Sequence, residues 1–231
     1  MSSAAVAGHP YGGAALGLGA GRSNDVDEAV AFPGEDDVRY DDVFALQYGP
    51  TINLDAVAGY DLGWVRVEGE LSRKRSNLKS NDDDDITDQF LTDLNNRLDR
   101  TGAGLPLLTN DDFQPSGHLT VDSAMANVML DIGMGRGITV YGGGGLGRSF
   151  VHGFHDRDSG FAWQYFGGVR YAISEKIDLG LKYRYFNSGV VELFDDPQDV
   201  AGNGESAVVT PIFKGKFRSR NLLATFTYNF R

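Results

Sequence analysis

Hydrophobic and polar positions alternate with a period of two in eight stretches of the chain. A strand sends successive side chains to opposite faces, so each stretch predicts one apolar and one mostly polar face. The clearest case is the C-terminal run 221–231. There Leu222, Ala224, Phe226, Tyr228 and Phe230 alternate with Leu223, Thr225, Thr227 and Asn229. The same rhythm predicts strands over Tyr11–Ala20, Ile52–Tyr60, Trp64–Ser72, a segment within His118–Ile132, Ile138–Phe150, Phe161–Tyr171 and Ile177–Phe186.

The connections alternate too. Those after the second, fourth and sixth strands are tight: Asp61–Gly63, Met134–Gly137 and Ile173–Lys176. Those after the first, third and seventh cover about 21–51, 73–118 and 187–217, far beyond ordinary hairpin loops, and 151–160 is of middling length. In an up-and-down meander all the long connections fall at one end, as in outer-membrane barrels with short periplasmic turns and long external loops.

The charged residues Arg66, Glu68, Glu70, Arg170, Asp178, Lys182 and Arg184 fall mid-strand, opposite the apolar stripes. A barrel in lipid would turn them inward as a lumen charge network and turn Leu222, Phe226, Tyr228 and Phe230 toward acyl chains. A soluble sheet would place the same charges outside, in water, over an ordinary apolar core, and periodicity does not separate the two.

Composition narrows the choice. The chain has 231 residues, 31 glycines, 14 Phe, 10 Tyr and 2 Trp, with 41% hydrophobic residues, which points to many short strands. Apolar runs are too short for a transmembrane helix, whereas barrel strands need only about ten alternating residues. Cysteine is absent, so neither disulfides nor thiolate metal sites are expected. Residues 1–10 lack a basic and an apolar region and read as a tail, with Ala5-Val6-Ala7 resembling the end of a signal peptide. Residues 11–231 read as one barrel domain.

Phe161–Tyr171 followed by Ile177–Phe186 resembles strands six and seven of the small opacity-type, OmpA-like outer-membrane barrels. Met125–Asp131 resembles their fourth strand, and the aromatic end of the chain resembles their assembly signal, although Arg231 follows Phe230 here. The resemblance covers the strands and leaves out the loops. It implies an all-β, eight-stranded antiparallel up-and-down transmembrane barrel in the outer membrane of a Gram-negative bacterium. It also implies outer-membrane lipid and lipopolysaccharide as neighbours, and the barrel-assembly machinery as a partner during biogenesis.

Charge separates the two ends. The net charge is −11, while segments 21–50, 74–117 and 189–216 carry −6, −4 and −3. Acidic long loops exclude a nucleic-acid partner, whose phosphates need the opposite sign. Solvation explains such loops; a sharper alternative is that Asp82, Asp83, Asp84 and Asp85 contact divalent cations, though they lack the ligand spacing of an EF-hand. Within 73–118, Ile86, Phe90, Leu94 and Leu98 recur every fourth residue and predict a helix over 86–98, with Gly102 and Pro106 to end it. It would pack on the rim, bind a protein partner or act as a lid.

Catalysis has thin support. Ser149, His152 and His155, with Asp156 and Asp158, supply the residue types of a hydrolytic triad, but nothing in their spacing makes them converge. Gly142–Gly147 lies in a predicted strand and opens no helix, so no nucleotide site is expected, and no cofactor or metal. Those glycines instead relieve crowding in a tightly curved wall or under a neighbouring aromatic ring. The expectation is a non-enzymatic surface barrel with a closed or very narrow polar core, serving envelope integrity, adhesion or partner binding. A lipid-modifying enzyme and a small channel are the alternatives.

Overall fold

The computed structural model describes residues 8–21, 24–32, 38–79, 88–101, 104–113, 118–153, 156–204 and 206–231. Its strands are β1 (His9–Gly21), β2 (Asn24–Ala31), β3 (Val38–Asp61), β4 (Val65–Lys79), β5 (His118–Gly135), β6 (Ile138–Gly153), β7 (Asp156–Ala172), β8 (Ile177–Phe194), β9 (Gln198–Ala201) and β10 (Ser206–Asn229). Among the described residues an α-helix, α1 (Asp88–Arg97), and a short 3-10 helix (Asn110–Phe113) lie between β4 and β5. Every paired strand is antiparallel to its neighbours, and β10 pairs with both β8 and β1, so the sheet closes. Both β1 and β2 lie between β10 and β3, one continuing the other. Counted as one interrupted strand, they make the wall an eight-stranded barrel, with β9 as an extra piece on β10.

The tight turns sit where expected. Arg136 and Gly137 both have positive φ, 52° and 79°, the conformation of a two-residue hairpin turn whose twist matches its strands. The Gly63 amide donates to Asp61 Oδ1 at 2.7 Å, closing the β3–β4 turn. At this end the Phe230 amide donates to the Pro10 carbonyl at 3.0 Å.

The far end differs from expectation. Much of 21–51 and 187–217 is strand, not loop: β2 and β3 form a long hairpin, β8 and β10 run well past their predicted boundaries, and β9 lies wholly within the predicted loop. His9 and Pro10 belong to β1, and residues 1–7 lie outside the described residues. Two physical causes hide these extensions. Bulges at Tyr48/Thr51 and Lys216/Arg218 break the period of two. The inward face also changes chemistry. On β8, Arg184 and Phe186 are buried inside; past Gly189, with φ 73°, the buried residues are Val191 and Leu193, so the parity has flipped.

The interior is therefore layered. Charged and amide side chains, with Met129, Tyr141 and Phe166 packed among them, fill the half near the tight turns. Above them Leu119, Val121, Met125, Val151, Phe186 and Phe217 form an apolar cluster, which corrects the expectation of a polar core throughout. At the outer end, Phe90, Leu94 and Leu98 of the α1 stripe are buried with Val30, Leu108, Phe113 and Val209. The Phe90 ring meets Tyr40 and Phe113 edge-on at 5.2 and 5.6 Å. Asn95 pins the following chain by exchanging hydrogen bonds with the backbone of Leu108 at 2.9 and 3.1 Å. The stripe thus packs within the extension and is not free to bind a partner. Glycines admit the inward side chains: a Cβ at Gly145 would collide with Asn127 Oδ1, and one at Gly168 would meet the Tyr141 ring at 2.7–2.8 Å.

The outer wall is apolar. Leu16, Leu18, Ile52, Leu54, Leu71, Leu130, Leu146, Phe161, Leu181, Leu222 and Phe226 are all exposed, a continuous belt that water would not tolerate. No described helix is long and apolar enough to cross a membrane.

Truncating the α1 anchor tests this packing. Phe90→Ala should destabilise the outer extension by about 3–5 kcal/mol. Limited proteolysis should then cut the extension faster while the barrel keeps its heat-modifiable gel mobility. Unchanged resistance would show that α1 is not part of the outer core.

Candidate functional site

Strand parity sends Asp55 of β3, Glu70 of β4, and Lys182 and Arg184 of β8 into the lumen, where they meet. Arg184 Nη1 donates to Glu70 Oε1 at 2.7 Å and to Asp55 Oδ2 at 3.0 Å, and its Nη2 donates to Asn53 Oδ1 at 2.5 Å. Lys182 Nζ donates to Glu70 Oε2 at 3.2 Å and lies 3.7 Å from Asp55 Oδ2. Asn127 and Gln164 complete the layer. Gln164 Nε2 donates to Glu70 Oε1 at 3.2 Å and to Asn127 Oδ1 at 2.8 Å. Asn127 Nδ2 donates to Glu70 Oε2 and to Glu68 Oε1. The side chains of Arg184, Asp55 and Glu70 are 0% exposed.

A second group lies nearer the tight turns. Arg66 holds Asp131 through Nε at 2.8 Å and Nη2 at 3.0 Å, and Arg170 Nη2 reaches the same carboxylate at 2.6 Å. The Arg66 guanidinium sits 5.4 and 5.2 Å from the ring centroids of Tyr11 and Tyr141, and the Tyr11 hydroxyl donates to Glu68 Oε2 at 3.1 Å. Six of the seven predicted lumen residues thus join two linked clusters. Asp178 stands apart, accepting from Asn229 Nδ2 at 3.1 Å beside the closing seam.

Four charged members were not among the predicted lumen residues, one of them Asp61 at the end of β3, 3.9 Å from Arg170 Nη2. Asp55 and Asp131 lie on the predicted polar faces, and each bridges two cations. Lys74 continues the alternation Arg66, Glu68, Glu70, Ser72 one step past the predicted strand end. Its Nζ donates to Ser72 and Ser123 hydroxyls and sits 3.9 Å from the Phe186 ring centroid, where the charged layer meets the apolar one.

Isolated charges so buried would cost several kcal/mol each. Here Asp55, Glu68, Glu70, Asp61, Asp131 and Asp178 face Lys74, Lys182, Arg184, Arg66 and Arg170, so opposite charges nearly balance. The arrangement locks strands together and leaves little unpaired charge to attract an ion.

The hydrolytic candidates do not assemble. Ser149 is buried, with its hydroxyl donating to the Ser188 carbonyl at 2.9 Å, whereas His152, three residues on, faces outward. Asp156 and Asp158 accept from the backbone amides of Phe194 and Glu192 at 3.1 and 2.9 Å and so tie β7 to β8. His155 and Asp82–Asp85 lie outside the described residues. Among the described residues no group of three or more His, Asp or Glu could hold a metal ion. On the outer face Leu222, Phe226 and Phe230 are exposed, and Tyr228 is half-buried with its ring 5.2 Å from that of Phe230.

Removing two paired members of the central cluster should cost less than the sum of the two single removals. Arg184→Met strands Asp55 and Glu70 and should destabilise the barrel by about 3–5 kcal/mol. Adding Glu70→Met should cost less than the sum of the single changes, by about 0.5–3 kcal/mol. Urea unfolding in detergent reads both, and strict additivity would show that the pair is not coupled.

No curated protein sequence matches the chain. Neisserial surface protein A is 14% identical, with 96% of each chain covered and a TM-score of 0.50. The outer membrane protein OprG from Pseudomonas aeruginosa is 11% identical, with 97% of each chain covered and a TM-score of 0.53. These likenesses are of fold. The profile of the outer membrane protein beta-barrel domain matches residues 1–230, and the chain belongs to that family of Gram-negative outer-membrane barrels.

Proposed function

We propose that this protein is a closed, non-enzymatic surface barrel whose work is done by the acidic extension it holds outside the membrane. The observation that carries this reading is the double plug in the lumen. The Arg184–Glu70–Asp55 layer is wholly buried, and the Phe186–Phe217 cluster lies above it. Beside Arg66, Glu68 and Lys182 there remains a cavity of about 30 Å³, room for a water or two. Eight-stranded barrels have interiors that side chains can fill, unlike the open lumen of a large porin.

In this reading Leu222, Phe226, Tyr228 and Phe230 face acyl chains, and the barrel-assembly machinery engages β10. Envelope integrity, adhesion or partner binding falls to the outer extension. Because the α1 stripe is consumed in packing, a protein partner meets the polar, acidic outer surface instead. Planar-bilayer recording of the refolded chain tests the plug: no stable ohmic steps of porin size are expected. Sustained conductance of that size would overturn the closed-lumen reading.

A further inference from the structure

The outward face of β4 to β7 carries a feature that the plugged lumen does not use. Cross-strand register sets Leu71, Ala124 and Arg148 side by side. One step outward stand Arg73, Asp122 and Phe150, and one step further Arg75, Thr120, His152 and Arg157. All of these point away from the lumen, since the intervening Ser72, Lys74, Ser123 and Ser149 are buried. Among the described residues four arginines therefore gather against one carboxylate, on a patch about 14 Å on each side by strand spacing and rise. The long connections beyond it carry most of the acidity of the chain.

The arginines are oriented. Arg73 grips Asp122 through Nε at 2.7 Å and Nη2 at 2.9 Å, yet its side chain is still 68% exposed. Arg148 Nη2 donates to Ser159 Oγ at 2.9 Å, with its guanidinium 6.0 Å from the Phe150 ring centroid. Arg75 and Arg157 are exposed. Alongside the patch, spanning β1 to β6 and level with Arg73 and Arg148, lies a concavity of about 580 Å³ lined by Leu54, Ala56, Leu71, Ala124 and Phe150 together with Arg73. It lies on the membrane side of the wall, at the level where the belt gives way to charge.

An apolar groove flanked by a cluster of arginines is complementary to an amphiphile with an acyl chain and a phosphate. Arginine is the side chain best matched to phosphate, through paired N–H donors. The patch lies toward the end with the long connections, which in this family is the outer leaflet. We propose that the β4–β7 face binds the phosphorylated glycolipid of the outer leaflet, with an acyl chain in the groove and phosphate on Arg73, Arg75 and Arg148. The site depends on the placement in the outer membrane and is independent of whether the lumen conducts.

Native mass spectrometry of the refolded full chain, released from micelles, tests the site with three probes: lipid A, lipid A stripped of its phosphates, and phosphatidylglycerol. Retention of lipid A at least tenfold above both other lipids is expected. The Arg73→Ser/Arg75→Ser/Arg148→Ser variant should lose at least tenfold of that retention while keeping heat-modifiable mobility. If the triple variant does not fold, Arg148→Ser alone should still lower retention severalfold. Equal retention by a folded variant, equal retention of dephosphorylated lipid A, or equal retention of phosphatidylglycerol would each overturn the proposal.

Discussion

In hydrocarbon every backbone N–H and C=O must find its partner within the protein, and the closure of β1 against β10 meets that demand here. The seam runs from Tyr11 opposite Asn229 to Gly21 opposite Ser219 without a register shift. It is built close: a Cβ at Gly13 or Gly17 would strike the carbonyl of Phe226 or Leu222. Once the ring is closed, each strand has one face turned to lipid and one confined to the lumen. The side-chain chemistry of both faces follows from that division.

The division changes along the barrel axis because the solvent does. Within the membrane the outside is apolar and the lumen takes the polar residues, which can stay there only by pairing with one another. Beyond the membrane the outside meets water, and the lumen closes over Leu119, Val151, Phe186 and Leu193 like an ordinary soluble core. The bulges at Lys216/Arg218 and Tyr48/Thr51 lie where this change occurs. They let a single strand exchange its inward and outward positions without leaving the sheet.

This explains which parts of the molecule were legible in the sequence. Near the tight turns, lipid imposes strict alternation, so β1, β6 and β8 begin within two residues of their predicted starts. Past Gly189 the inward positions of β8 restart in the opposite phase, and β2, β9 and the outer half of β10 read as loop. The charged layer was half legible. Alternation placed Arg66, Glu70, Lys182 and Arg184 on one face, and also Asp55 and Asp131. Who pairs with whom was not legible, because Arg184 reaches Glu70 and Asp55 across 114 and 129 residues of chain. Such partners are set by the curvature of the closed wall, which no local pattern encodes. The outward arginines were hidden for another reason: Arg73 and Arg75 fall just beyond the predicted end of their strand at Ser72.

Charge is thus distributed by environment more than by total. The lumen holds nearly balanced charge because unpaired ions there would be costly. The far extension can be strongly acidic because water and salt screen it. Arg73, Arg75, Arg148 and Arg157 stand at the boundary between lipid and water, where neither constraint applies and an excess of positive charge persists beside Asp122. Lys74 shows the distinction within a single strand. It lies between Arg73 and Arg75 in sequence, yet it points inward, is fully buried, and finds two hydroxyls and the face of Phe186. Three consecutive cations are separated by the pleat into one that locks the barrel and two that face its surroundings.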